Sequence, residues 1–323
     1  MTLDLFTPIV PEPSRHPNFL RLIEEKDDGL RNVLREWADG FVDRDGKFVA
    51  EFQRTFNSSW WELYLFAVIK SLDHKANFSL HAPDFVMPDA GFAVEATISA
   101  HAQGATPEWS KTMADITNHD DIEGRYIETM ARLSNSITSK FRKYQKSYSS
   151  LPHMRDLSYV IAIHNFGTPD AHQLGDVAMQ RLLYDVRHER SFMKDSKVSL
   201  PTGLFANEEM SDVSAIIYSS VATFGKARAL SSSKGDFVFQ AVRIKNNHEL
   251  IQVGGTLGTY KESLRDGIRV FHNPFARRPL SFDMLGAQEV RQFRVCDGEL
   301  ETTFHPDGDL CMRQVIQQVV RTK

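Results

Sequence analysis

Pro83-Asp84-Phe85-Val86-Met87-Pro88-Asp89-Ala90-Gly91-Phe92-Ala93-Val94-Glu95-Ala96-Thr97-Ile98 is the stretch that decides the fold. Two apolar, strand-like runs flank a glycine-bearing turn at Pro88 to Gly91, so the segment reads as a pair of neighbouring strands. Asp84 falls at the end of one segment and Glu95 in the middle of the next, and strands about 5 Å apart bring two such carboxylates side by side. Upstream, the run from Trp60 to Ile69 is apolar apart from its one carboxylate, Glu62. An unpaired buried carboxylate is costly enough that it normally has a partner or a metal. Three acids are therefore expected to converge on one place.

The rest of the chain supplies a frame for that place. With 323 residues, 41% of them hydrophobic and 11% aromatic, it has ample material for one large core or two ordinary ones. A formal charge of −4 gives no global basic signature, so a polyanionic partner has to be held by a local patch. The two cysteines, Cys296 and Cys311, lack the clustering of a zinc or disulfide framework, and no run approaches the roughly 18 apolar residues of a membrane span. These features, with an N-terminus that lacks a signal-like pattern, lead to the expectation of a soluble cytoplasmic protein.

Prolines 8, 11, 13 and 17 argue for an N-terminal arm rather than a helix, followed by one or two short helices within 19–38. Phe52, Phe56, Trp60, Leu63 and Ala67 predict a helix that is apolar over most of its circumference. Strands are expected at 78–80, 85–87 and 92–98, then a polar loop over 101–118 long enough to serve as a flap. Ile122, Tyr126, Met130, Leu133, Ile137, Phe141, Tyr144 and Tyr148 define the clearest helix, set within 119–149. Further strands are expected at 157–163, 213–218 and 237–244, with helices at 171–184 and 312–320. The order of elements predicts an α/β fold with a central mixed β-sheet flanked by helices. The expected organisation is an N-terminal arm with short helices (1–50), a core (51–225) and a C-terminal extension packed on it (226–323).

A helix acid, then Pro-Asp, then an acid in the following strand resembles the PD-(D/E)XK nuclease superfamily, the restriction-endonuclease-like fold. The matching residues are Glu62, Asp84 in Pro83-Asp84, and Glu95 in Val94-Glu95-Ala96-Thr97, and the resemblance covers about residues 50–165. The family pattern places a lysine two residues after the strand acid, where this chain has Thr97. Some members carry that lysine on the helix following the core strands, and Lys140, at the border of the apolar stripe of the 119–149 helix, is the corresponding candidate. The resemblance implies a nuclease that hydrolyses phosphodiester bonds of DNA rather than RNA, with Mg²⁺ or Mn²⁺ held by Asp84 and Glu95. By fold analogy it acts in bacterial defence or DNA processing, and many such nucleases are homodimers.

Phosphodiester hydrolysis needs a nucleophilic water, neutralisation of the phosphate charge and stabilisation of the leaving oxygen, which a cation held by one or two carboxylates can provide. Lys140 is assigned to orient the water and counter the phosphate, and Thr97 to hydrogen-bond substrate or a metal-bound water. Arg125, Arg132 and Lys143 form a positive row along one flank of the same helix, suited to tracking a phosphate backbone. Structural alternatives stand beside each assignment: Asp84 capping a turn, Glu62 paired with Lys70, Lys140 snorkelling to solvent, and Thr97 simply filling a strand position. The Arg277-Arg278 turn reads as a surface loop, and His164-Asn165, at a strand end, reads as structural in preference to lining the cleft. Gly254-Gly255-Thr256-Leu257-Gly258 lacks the Lys-Ser/Thr of a P-loop. The competing functional reading is a catalytically inactive member of the same fold, a nucleic-acid-binding or assembly subunit that has lost its strand lysine.

Overall fold

The computed structural model describes residues 3–102, 104–110, 112, 114, 121–167, 171–186, 202–232 and 236–317. Seven strands form one mixed sheet, ordered β1 (Phe85–Met87), β2 (Phe92–Ala100), β3 (Ser158–Phe166), β4 (Val213–Ser219), β7 (Arg269–His272), β8 (Arg291–Cys296) and β9 (Glu299–Thr302). The β1/β2, β4/β7 and β8/β9 pairs are antiparallel; β2/β3, β3/β4 and β7/β8 are parallel. Strands β3 and β4 are buried along their whole length, as expected of parallel strands covered on both faces.

Period-two alternation divides the side chains of β2 between two cores. Phe92 and Val94 face a core built with helices α1 (Pro17–Glu24), α2 (Gly29–Ala38), α3 (Phe48–Arg54) and α4 (Phe56–Ser71). Ala93 faces the opposite core, built with α5 (Ile122–Lys143) and α6 (Ala171–Tyr184), so Glu95 and Thr97 belong to the α5 side. Helix α4 is almost wholly buried, and its aromatic residues find partners for their polar atoms. The indole N–H groups of Trp60 and Trp61 donate to the carbonyls of Ala222 (2.7 Å) and Ala162 (3.0 Å), and the Tyr64 hydroxyl to that of Leu264 (2.6 Å).

Several elements differ from their sequence reading for local reasons. The helix expected to run through Phe52 and Ala67 breaks at Thr55, whose hydroxyl bonds back to the Glu51 carbonyl at 3.0 Å and competes with the helical ladder. Residues 78–80 are a turn rather than a strand, because Asn77 Oδ1 accepts from the backbone and hydroxyl of Ser79. Gly91, at φ 75°, supplies the left-handed residue that reverses the chain between β1 and β2. Helix α5 begins with Asp121 capping Gly124 and ends in a π-helical turn over Tyr144–Tyr148; His119 and Asp120 lie outside the described residues.

The expected terminal helix at 312–320 is instead β10 (Asp309–Gln317), since the edge of β5 (Phe237–Ile244) offers its backbone a ladder; residues 318–320 lie outside the described ones. With β6 (Leu250–Thr256) they form a separate three-stranded antiparallel sheet. The glycine-rich stretch belongs partly to β6, where a Cβ on Gly254 would meet the Phe239 carbonyl at 2.9 Å. The boundary drawn at residue 225 does not coincide with an edge of the main sheet, because β7, β8 and β9 complete it. A short helix, α7 (Phe224–Leu230), joins the two regions.

Candidate active site

The antiparallel register pairs Phe85 with Val94, and continuing it by one residue sets Asp84 opposite Glu95. Asp84 is held there by its own strand neighbour: Oδ2 accepts from the Ala96 backbone N–H at 2.7 Å. The turn cap considered for Asp84 is thus replaced by a bond across the two strands. Arg44 steadies the approach to Asp84 by donating to the carbonyls of Leu80 (2.6 Å) and Pro83 (3.4 Å).

Glu95 is completely buried and receives three donors from the end of α5 and its π turn. Its Oε1 accepts from Lys140 Nζ at 2.7 Å and Lys143 Nζ at 2.9 Å, and its Oε2 from the Tyr148 hydroxyl at 3.1 Å. Lys140 and Lys143 are both on the last turn of α5, where cations also suit the helix dipole. Lys143 ends over the ring of Tyr148, 5.1 Å from its centroid, although nearly half of its side chain remains exposed. Burial, then the charge of Glu95, pushes the Tyr148 phenol up, so it remains a neutral hydrogen-bond donor.

Glu62 approaches from α4. Burial, followed by the charges of Asp84, Glu51 and Glu95, raises its carboxyl from 4.5 to about 8, against the opposing influence of Arg44. Burial and the charge of Glu95 likewise raise Asp84 from 3.8 to about 6, with Lys140, the Ala96 N–H and Lys143 working in the other direction. These mutual influences place the three acids within one electrostatic neighbourhood. A cavity of about 390 Å³ opens against Glu62 and Asp84, with Asp43, Arg44 and Glu51 among its walls. Glu62 does not pair with Lys70, whose ammonium bonds the carbonyls of Glu36 and Asp39.

Thr97 sits two residues beyond Glu95 on the same strand and the same face. The row Arg125, Arg132, Lys143 is not a uniform track: Lys143 turns to Glu95, while Arg132 lies 4.0 Å from Glu128. Arg125 remains near the start of α5. His164 is fully buried against Trp61 and Phe166, on the opposite side of the sheet from Glu95. Arg277 pairs with Asp212 at 2.8 Å.

Three participants were hidden in the sequence. Tyr148 continues the apolar stripe of α5 and so reads as core. Arg44 reads only as part of the Asp43-Arg44-Asp45-Gly46 turn, and Lys143, expected in a row tracking a phosphate backbone, instead bonds Glu95, a partner the sequence did not reveal. The usable signal for Lys143 is its spacing of three from Lys140, which sets both on one helix face above the same strand acid.

Among the described residues, no group of three or more His, Cys, Asp or Glu could by itself hold a metal ion. Mg²⁺ asks for less, since it commonly uses one or two carboxylates and leaves its other positions to water and substrate oxygens. Asp84 and Glu95 fit that requirement in donor chemistry, both being hard oxygen ligands, and a cation at Glu95 would take the place of one of the donors that now fill its oxygens. Scans of protein-family models, curated proteins and solved structures found no match to this chain.

Proposed function

We propose that this protein is a metal-dependent nuclease of restriction-endonuclease-like fold that hydrolyses phosphodiester bonds in DNA. The observation that carries the reading is the meeting of Lys140 with a buried strand acid, Glu95, that shares its neighbourhood with Asp84 and Glu62. An ammonium fixed by a buried carboxylate has little freedom, which suits it to hold a water in place and to oppose charge on a phosphate. In this account Lys140 on α5 takes the role that the family pattern gives to the position of Thr97.

Asp84 and Glu95 would hold the divalent cation, which when bound supplies charge neutralisation at the phosphate and a more acidic water. Glu62 retains its proton near neutrality and can donate a hydrogen bond at the cavity wall. Tyr148 holds the second oxygen of Glu95 and thereby fixes the orientation of the carboxylate. Arg44 keeps the Pro83-Asp84 segment against the site.

A second reading, a non-catalytic nucleic-acid-binding or assembly member of the same fold, draws on Thr97 and on the engagement of both Glu95 oxygens. The separating experiment offers single- and double-stranded DNA and RNA to the purified protein with Mg²⁺ or Mn²⁺, beside EDTA and Glu95→Ala controls. Metal-dependent cutting of DNA that the variant loses is expected. Absence of cutting, together with no metal-induced rise in melting temperature, would favour the binding subunit.

A further inference from the structure

A second cavity lies away from the Glu62–Asp84–Glu95 cluster, just beyond the carboxyl ends of β3 and β4, the end of a parallel sheet at which open α/β folds commonly bind ligands. Its walls combine aromatic rings, Trp60, Trp109 and Phe224, with a polar group of Asn18, Asn57 and Glu108. The Asn18 and Asn57 side-chain amides both donate to Glu108 Oε1, at 3.1 and 2.6 Å. The other oxygen, Glu108 Oε2, is buried and has no hydrogen-bond partner among the described residues. Buried polar atoms are normally satisfied, so an acceptor left over in a concave aromatic site is suited to a donor carried by a ligand.

The arrangement is held in place. Arg21 on α1 donates to the Trp109 carbonyl at 2.6 Å, which pins the short 3-10 turn Glu108–Ser110 over α1 and the start of α4. Trp60 and Phe224 meet edge to face with centroids 5.1 Å apart, and Trp60 is fixed through its indole N–H. The cavity volume, about 220 Å³, is below the ~300–1,000 Å³ of sites for drug-sized ligands, so it accommodates a ring rather than a whole nucleotide. Aromatic walls favour a flat π system, and a single free carboxylate oxygen takes one ring N–H or amino hydrogen.

From these features we infer that this cavity is a nucleobase-binding subsite, in which Glu108 accepts a hydrogen bond from a base stacked on the aromatic wall. The inference rests on the reading of nucleic acid as substrate, and gives that substrate a second point of contact remote from the scissile phosphate. Glu108 reads the base edge through its one free oxygen, Asn18 and Asn57 being engaged with Glu108 and with each other, and the rings of Trp109 and Phe224 hold its faces. The sugar and phosphate remain outside, on the Arg21 side.

The test follows intrinsic tryptophan fluorescence of the full chain in EDTA while the four nucleoside 5′-monophosphates are added separately, with ribose 5-phosphate and tetramethylammonium as comparison ligands. Saturable quenching by at least one nucleotide, absent with ribose 5-phosphate and weakened at least tenfold in Glu108→Gln, is expected. Trp109→Leu provides a second variant should Glu108→Gln fail to fold, and is expected to weaken binding similarly. No saturable response to any nucleotide, an equal response to ribose 5-phosphate, or binding of tetramethylammonium instead would overturn the inference. Because the titration needs neither metal nor cleavage, its failure is distinguishable from failure of the nuclease reading.

Discussion

At the scale of single residues, the site is governed by what burial does to like charges. Glu62 binds its proton more tightly in the folded chain than in the unfolded one. Its contribution to stability is therefore full below about pH 4.5 and is lost as the pH rises toward 8. In metal-free buffer the melting temperature is expected to fall across that window, as stability drops by an amount on the order of a few kcal/mol at most. Glu62→Gln, which keeps the shape without the titration, should flatten the curve; parallel curves for the two proteins would show that Glu62 is not the group responsible. Glu62, Asp84 and Glu95 were legible because a carboxylate among apolar residues is a costly choice that stands out in a sequence. The donors were harder to read. Lysines at a helix border look alike until the strand beneath them is known, and a tyrosine in an apolar stripe carries no mark of the partner its hydroxyl will find.

At the scale of elements, the end of α5 does the positioning. The π turn brings Tyr144 and Tyr148 onto Tyr159 of β3, with ring centroids at 4.4 and 6.5 Å, and points the Tyr148 hydroxyl at Glu95. Such turns are rare and frequent at functional sites. Tyr148→Phe removes one donor from a buried carboxylate and should cost about 1.5–3 kcal/mol in urea denaturation; a loss below about 0.5 kcal/mol, the range of ordinary surface changes, would mean that the contact is not maintained in solution. Periodicity revealed α5 because its apolar stripe is long, but it carries no sign of a change from α to π winding. Nor did it identify β10, whose Met312, Val315 and Ile316 suit a helix face equally well until β5 offers a partner. Local pattern separates helix from strand poorly when a pairing edge arrives from a distant part of the chain.

At the scale of the whole molecule, the C-terminal region is part of the sheet that carries the site. Ala215 to Tyr218 of β4 pair with Arg269 to His272 of β7, and the small sheet is tied on by buried charges. Lys226 meets Glu262 and also donates to the carbonyls of Ser263 (2.9 Å) and Asp266 (2.8 Å), while Arg313 bonds Glu262 at 2.6 Å. A fragment ending at residue 225 strips one side of a fully buried strand and should lack a cooperative transition and near-ultraviolet circular dichroism. Native-like dichroism in that fragment would contradict this account of the sheet. The short strands β7 to β9 give little periodic signal and acquire their meaning only from pairing, so their place in the main sheet was not legible in the sequence.

The central claim, that Lys140 serves the strand acid in place of the residue at position 97, is tested most directly by cleavage of plasmid DNA with Mg²⁺ by four proteins: wild type, Glu95→Ala, Lys140→Ala, and Lys140→Ala combined with Thr97→Lys. Thr97 shares the face of Glu95, so a lysine there approaches the same carboxylate from the strand. Cutting by the wild type, its loss by at least a hundredfold in both single variants, and partial recovery in the combined variant are expected. Full activity in Lys140→Ala would contradict the claim.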